Sequence, residues 1–293
     1  MTEPRRIFCF GLGYSALALA ERLSAEGWRV AGTARTEDQC RALDSLGIAA
    51  FVFDGARKLA DFHAALAGTT HLLSSVPPDG AGDPVLDVHA AGIAALSGLA
   101  WAGYLSTTGV YGDRQGGWVD ETGARAPTGE RGRRRVAAED AWLALHRKHG
   151  LPVHVFRLAG IYGPGRSAID TVKRGQARRI DKPGQVFSRV HVDDIAATLR
   201  ASILRPNPGA VYNVCDDDPA PPEKVIEEAC RLLGAPAPPL VPFDEAKAAM
   251  SEMARSFYAD NKRVSNDRIK QELGVVLKYP SYKDGLRALI SSA

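Results

Sequence analysis

Cysteine is scarce in the 293-residue chain: Cys9, Cys40, Cys215 and Cys230 lie far apart, with no Cys-x-x-Cys spacing and no neighbouring histidine. That pattern gives neither a disulfide framework nor zinc-ligand spacing, so no metal is expected and a reducing cytosol is the simplest setting. An excess of one charge is also missing. The 37 Lys and Arg against 34 Asp and Glu leave a net +3, and the acids are spread throughout, so nucleic acid is not an expected partner. The densest basic run is Arg131, Arg133, Arg134 and Arg135, of which Arg133 and Arg134 read as a solvated helix face. No apolar run approaches the roughly 20 residues needed to cross a bilayer, so no membrane partner is expected either. Internal repeats and long low-complexity segments are absent.

The N-terminal stretch admits two readings. Arg5-Arg6 followed by I-F-C-F-G-L-G-Y-S-A-L-A-L-A has the outline of a secretory signal. The same residues read as a strand, a glycine-rich turn and an amphipathic helix, and cleavage would delete the strand and the turn together. The second reading accounts for more residues, and a cytoplasmic protein is expected.

Apolar runs at Arg6–Phe10, Trp28–Thr33, Ala49–Phe53, His71–Ser75, Gly103–Ser106, Val153–Leu158 and Ala210–Val214 alternate with helical patterns at Tyr14–Glu26, Glu37–Leu46, Val85–Leu99, Arg131–His149 and His191–Leu199. Strands and helices alternating at this spacing predict an α/β fold built on a doubly wound parallel sheet. Gly, Pro and Arg become denser from Gly163, an excursion from the sheet, and helices near Glu223–Leu233, Asp244–Ala254 and Ser265–Gly274 predict a small C-terminal lobe. The expected division is a dinucleotide-binding domain over 1–165, completed by about 190–215, and a substrate lobe formed by 166–189 and 216–293.

Six stretches carry a family resemblance. Y-L-S-T-T-G-V-Y-G-D (Tyr104–Asp113) is followed by A-P-T-G-E-R-G-R-R-R-V-A-A-E-D (Ala126–Asp140). F-R-L-A-G-I-Y-G-P-G-R (Phe156–Arg166), R-V-H-V-D-D-I-A (Arg189–Ala196), Y-N-V-C-D-D-D-P (Tyr212–Pro219) and Lys262–Gly274 follow in order. Together they resemble the extended short-chain dehydrogenase/reductases, the NAD(P)-dependent epimerase/dehydratase group, over nearly the whole chain. The resemblance implies a Rossmann fold, and it puts Thr107 in the catalytic Ser/Thr place, Arg131 in the tyrosine place and Arg135 in the lysine place. Pro127, Gly132 and Glu139 match the family helix.

Gly11-Leu-Gly13-Tyr-Ser-Ala16 follows a strand and opens a helix. Gly11 permits the tight turn, Gly13 lets the backbone approach a pyrophosphate, and Ala16 permits close helix–strand packing, while the helix N-terminus supplies N–H groups and partial positive charge. Phe10 stands at the first glycine of the extended-family pattern, so the turn is closer to the G-x-G-x-x-A form. After the second strand, G-T-A-R-T (Gly32–Thr36) places Arg35 where a 2′-phosphate would sit, with no carboxylate to reject it. An arginine fork suits phosphate, so NADP(H) is preferred to NAD(H). Asp54 resembles the family's adenine-contacting aspartate and is equally a turn signal. Tyr14, Ser15, Thr36, Ser75 and Arg135 complete the expected cofactor set.

In the family the tyrosine moves the proton. Arg131 cannot: a guanidinium stays charged and has no acceptor. Arg135, four residues on and on the same helix face, can still donate to ribose hydroxyls, and Thr107 to a substrate carbonyl or hydroxyl. Tyr111, in the V-Y-G that follows Thr107, is a candidate to handle the proton, with a half-buried structural role as the plainer reading; Glu130, next to Arg131, is a second candidate, with an exposed helix-start carboxylate as its plainer reading. A Tyr-x-x-x-Lys at Tyr258 and Lys262 falls outside the helix after the fifth strand and is read as a chance match. Arg166, Arg178, Arg179 and Arg189 suggest a basic substrate side suited to an anionic small molecule such as a phosphate or sugar nucleotide. Two functions remain open: an NADP(H)-dependent oxidoreductase or epimerase-like enzyme, or a non-catalytic dinucleotide-binding redox sensor. A homodimer is compatible with either.

Overall fold

The computed structural model describes residues 5–291. The first half runs β1 (Arg6–Phe10), α1 (Tyr14–Ala25), β2 (Arg29–Ala34), α2 (Glu37–Asp44), β3 (Ala49–Val52), a short α3 (Phe62–Leu66), β4 (His71–Ser74), α4 (Pro84–Ala94) and β5 (Trp101–Thr107). A 3-10 turn at Thr108–Tyr111 and a two-residue β6 (Trp118–Val119) precede the long α5 (Glu130–His149). Then come β7 (Val153–Leu158), β8 (Gly160–Tyr162), α6 (Ala168–Lys173), β9 (Arg179–Asp181), β10 (Arg189–His191), α7 (Val192–Leu204) and β11 (Val211–Val214). The C-terminal part holds α8 (Pro222–Leu233), β12 (Leu240–Pro242), α9 (Phe243–Ala246), α10 (Glu252–Ala259), β13 (Arg263–Val264), α11 (Asp267–Leu273) and α12 (Tyr282–Ser291).

Seven strands form one sheet in the order β11-β7-β5-β4-β1-β2-β3. β1 pairs in parallel with β2 and β4, β2 with β3, and β4 with β5. The order reverses between β1 and β4. That makes the carboxyl ends of these two strands the switch point of a doubly wound sheet, the place where such folds bind ligands. Phe8, Phe10, Leu72, Tyr104, Trp142 and Val155 are fully buried in the core that this sheet shares with its helices.

Contacts divide the chain into two units. One consists of the residues up to Thr107 with Arg134–Arg157 and Ile195–Tyr212; the other consists of Thr108–Arg133, Leu158–Asp194 and the residues from Asn213 onward. Residues 108–133 and 158–165 group with the second unit. The cause is pairing remote in sequence. β6 pairs with β13, and the amides of Arg114 and Gly116 both donate to the Asn261 carbonyl. The second unit has its own core around Ile169, Val225, Ala229, Tyr282 and Leu286.

Several elements differ from the sequence reading. The helix predicted over Val85–Leu99 ends at Ala94; its start is fixed by Asp83, whose carboxylate accepts from Val85 N and Leu86 N, with Pro84 at the first turn. The helix predicted near Asp244–Ala254 breaks into α9, a 3-10 turn and α10, because Met250 is extended and Ser251 caps α10 by accepting from Ala254 N. α12 was not foreseen; Ser281 precedes it and Asp284 N donates back to Ser281 Oγ.

Two buried histidines give the first unit an acid sensitivity. His154 Nδ1 lies 3.2 Å from the Ala102 carbonyl, and its Nε2 accepts from Asn207 N at 2.9 Å, which assigns the neutral Nδ1-H tautomer. Burial pushes the pKa of both His71 and His154 down to about 4; the Arg5 charge adds to this at His71, and backbone hydrogen bonds oppose it at His154. A histidine whose folded pKa lies below its unfolded value stabilises fully above about pH 6.5. That contribution is lost as pH falls from 6.5 toward 4, by about 1.4 kcal/mol per pH unit for each residue. Urea midpoints at pH 7, 6 and 5 are expected to fall in this window, with a shallower fall in His154→Gln. Identical slopes in parent and variant would remove His154 from the account.

Candidate functional site

The glycine turn is built at the carboxyl end of β1. Gly11 has φ +80°, a region that L side chains avoid, and a Cβ there would meet Ser75 Oγ at 3.0 Å and Val76 Cγ2 at 3.1 Å. Thr33 on β2 holds the turn: its Oγ1 accepts from Gly11 N and its carbonyl from Leu12 N, both at 2.8 Å. Ser75, just after β4, donates to the Gly11 carbonyl at 2.5 Å. Gly13 is the N-cap of α1 and provides no side-chain cap. The first intrahelical bond runs from Leu17 N to Gly13 O, so the amides of Tyr14, Ser15 and Ala16 precede it at the positive end of the helix. A Cβ on Gly13 would meet nothing within 4 Å. The turn therefore combines a fixed backbone with room for a ligand against it. An anionic group fits this donor set.

Beyond β2, Arg35 is exposed and its amide donates to Gln39 Oε1. Thr36 caps α2 by accepting from Gln39 N at 3.3 Å, a structural role. The acids that follow, Glu37 and Asp38, both pair with Arg41. After β3, Asp54 accepts from Ala56 N and Arg57 N and pairs with the Arg57 guanidinium at 3.0 Å. Those bonds, the Ala56 amide foremost, hold its carboxyl below the usual carboxylate range. Asp54 thus makes the bonds of a turn.

At the carboxyl end of β5 a buried network joins three elements. Ser106 Oγ donates to Glu139 Oε1 at 2.6 Å, and Arg157 Nη2 pairs with Glu139 Oε2 at 2.8 Å, with all three residues buried. One helical turn earlier, Arg135 Nη1 donates to the Leu105 carbonyl at 2.7 Å and to the Tyr104 hydroxyl at 3.1 Å. One turn later, Trp142 Nε1 donates to Asp83 Oδ2 at 2.9 Å. α5 is thus pinned beside Thr107 by Arg135, Glu139 and Trp142. The sequence reading noted Glu139 only as a match to the family helix. Its partner Arg157 stands in the F-R-L run of β7, and a buried arginine in a strand is the signal that could have joined them.

The sequence of residues 11–215 matches the model of the NAD dependent epimerase/dehydratase family. The chain belongs to that family. It is 30% identical to Protein YeeZ of Escherichia coli K12 over 289 residues, covering 94% of this chain and 97% of that one. A solved structure of a functionally unknown conserved protein from Silicibacter pomeroyi is 53% identical, with a TM-score of 0.89 and coverage of 98% and 99%. The UDP-glucuronic acid 4-epimerase from Bacillus cereus, in complex with UDP-glucuronic acid and NAD, has a TM-score of 0.76 at 16% identity, covering 98% and 99%, a likeness of fold.

Within the second unit, the remaining family positions are placed as follows. Tyr111 is fully buried and its hydroxyl donates to Asn213 Oδ1 at 2.7 Å. Arg131 is exposed, with its guanidinium 6.0 Å from the ring centre of Phe257. Glu130 pairs with Arg133 at 3.0 Å. Tyr258 packs edge-on against Phe187 and tilted against Phe243. Lys262 donates to the Gly112 carbonyl and pairs with Asp260. α10 ends at Ala259, so Tyr258 and Lys262 share no helix. Among the arginines expected to make a basic side, Arg179 is engaged by Glu227 and the Pro238 carbonyl, and Arg189 donates to the carbonyls of Phe187 and Ala220. Arg166 and Arg178 are exposed. No helix of the described residues is long and apolar enough to cross a membrane.

Proposed function

We propose that the chain is an NADP(H)-dependent oxidoreductase or epimerase-like enzyme acting on an anionic small molecule in the cytoplasm. The observation that carries this reading is the open N-terminus of α1 at the sheet's switch point, where Gly13 leaves room for a pyrophosphate. The bound dinucleotide would supply or accept a hydride. Gly11, Gly13 and the first-turn amides of Tyr14, Ser15 and Ala16 would hold its phosphates, with Ser75 fixing the turn. Thr107 would orient the reacting oxygen of the substrate, and the remaining N–H groups of Arg135 would donate to a ribose. Arg131, in the family's tyrosine place, would hold an anion, since it cannot exchange a proton.

The choice of NADP(H) draws support from Arg35, an exposed guanidinium just after β2 in a Gly32–Thr36 segment that carries no carboxylate. NADPH is expected to bind about tenfold or more tightly than NADH, the scale of one charged hydrogen bond, and Arg35→Ala to remove the difference. Calorimetric titration of both cofactors checks it, and equal affinities in the parent would overturn the choice.

Arg131 sets a second expectation. A guanidinium near the nicotinamide disfavours the positively charged oxidised ring by about 1 kcal/mol where water screens the pair, a several-fold preference for NADPH over NADP⁺. Comparing both dissociation constants in the parent and in Arg131→Tyr tests this. The same ratio in both proteins means that Arg131 stays on Phe257 and takes no part. The alternative reading, a redox sensor, draws on Met253 and Phe257, large apolar side chains exposed on α10. Turnover of any anionic carbonyl or sugar-nucleotide substrate with NADPH decides for the enzyme.

A further inference from the structure

The first turn of α5 and the end of α10 meet within the second unit, bringing one cation and one ring together. Among the described residues the exposed Arg131 guanidinium pairs with no acid and donates to no carbonyl; it lies 6.0 Å from the ring centre of Phe257. The acid next to it in sequence, Glu130, pairs with Arg133. Phe257 is 57% exposed, and Met253, one helical turn earlier on the same face of α10, is 58% exposed. Scattered singly, such side chains call for no explanation. Side by side, and next to a cation with no acid, they mark a binding surface.

The ring is held beside the cation by the residues that follow it. Tyr258 packs against Phe187 and Phe243, and its carbonyl accepts from Lys182 Nζ. Asp260 Oδ1 accepts from Thr128 Oγ1 at 2.6 Å, and the Asp260 carbonyl accepts from Gln185 Nε2 at 2.8 Å. Thr128 stands three residues before Arg131, so the bond that anchors the end of α10 also fastens it to the start of α5. Both side chains keep unused capacity there. The guanidinium has N–H donors in a fork that suits a carboxylate, and more than half of Phe257 stays open to a second apolar ring. A bare phosphate would use the first and leave the second in water. A ligand that uses both carries an anion and a ring a few bonds apart.

We propose that the anionic substrate is an aromatic carboxylate, with its carboxylate on Arg131 and its ring against Phe257 and Met253. The proposal rests on the reading of Arg131 as the holder of an anion, and it narrows that anion away from the sugar nucleotides. Arg131 selects the charge; Phe257 and Met253 select the ring.

The probe is 3-phenylpropionate, titrated calorimetrically into the full chain with and without saturating NADPH. Propionate, a charge without a ring, and 3-phenyl-1-propanol, a ring without a charge, are its controls, and UDP-glucuronic acid stands for the sugar nucleotides. 3-Phenylpropionate is expected to bind one to one, at least about tenfold more tightly than either control. Arg131→Gln should weaken it about tenfold, the scale of one charge-assisted bond, and Phe257→Ser about fivefold, the scale of one aromatic pair. Both side chains are exposed, so both variants should fold. The decisive quantity is the ratio of 3-phenylpropionate to propionate affinity. Phe257→Ser should lower it and Phe257→Trp keep it, whereas a general change in the fold moves both ligands together. No binding of 3-phenylpropionate in either condition, a ratio unchanged in Phe257→Ser, or tighter binding of UDP-glucuronic acid that Phe257→Ser leaves intact would overturn the proposal. Loss of a dimer in Phe257→Ser, with no 3-phenylpropionate bound by the parent, would overturn it too and assign the patch to a second copy. NADPH affinity, measured alongside, keeps the two readings apart. NADPH bound without 3-phenylpropionate sinks this proposal alone, and 3-phenylpropionate bound without NADPH sinks the dinucleotide reading alone.

Discussion

Gly13→Val is expected to lower NADPH affinity at least about 100-fold, a cost of about 2.7 kcal/mol, while the protein remains folded. The two effects separate because the position has room in the chain's own structure and none to spare for a ligand. A Cβ on Gly13 meets nothing within 4 Å, and its φ of −88° and ψ of −172° suit a branched residue. The folding cost is then that of exchanging one N-cap residue for a poorer one, about 1 kcal/mol or less. The added methyl groups would stand where the pyrophosphate must approach the backbone. Gly11→Ala is the useful contrast: at φ +80° the alanine is strained and its Cβ presses on Ser75, so stability falls along with binding. Thermal melts and calorimetry on both variants give the result. NADPH binding by Gly13→Val at parental strength would remove the phosphate cradle from this turn.

Glu139→Ala is expected to destabilise the protein by about 3–5 kcal/mol, the usual cost of leaving one member of a buried ion pair alone. Arg157 would keep its charge in a site where it is only 4% exposed, and Ser106 would lose its acceptor. Replacing both ends with apolar residues, Glu139→Leu with Arg157→Met, should recover much of the loss, because the pair's attraction largely offsets its own desolvation. Urea unfolding of the single and double variants measures both. A single variant within about 0.5 kcal/mol of the parent, the range of an ordinary surface change, would show that the network carries little. Arg135 lies one turn from Glu139, so the single variant also tests whether this clasp holds α5 in place beside Thr107.

The parallel sheet is legible in the sequence because each of its first five strands is a compact apolar run closed by a local signal, such as Asp54-Gly55 after β3 or Pro77-Pro78 after β4. The glycine turn is legible for the same reason: Gly11, Gly13 and Ala16 sit within six residues of one strand–helix junction. β6 and β13 are not, since Trp118–Val119 and Arg263–Val264 are two residues each and acquire strand geometry only from one another across the chain. α12 was missed although Ser281 and Asp284 mark its start. At the site, sequence identifies residue types and not their bonds. Asp54 and Thr36 also serve neighbouring amides, which the sequence does not show, and the acids after Thr36 pair with Arg41. The Tyr258/Lys262 spacing imitates a helical pair across a helix that has already ended.

The way the two units share the chain bears on the order in which they can form during synthesis. The first unit draws on three separate segments, the last ending at Tyr212, and the second begins at Thr108 and closes only with α12. When the ribosome has made the first 165 residues, β11 has not emerged and β7 still lacks its outer neighbour, with Val155 N missing its bond to the Ala210 carbonyl. The nascent sheet therefore presents an open edge for the time needed to add about fifty further residues, several seconds at ordinary translation rates. β6, waiting for β13, is left unpaired for longer still.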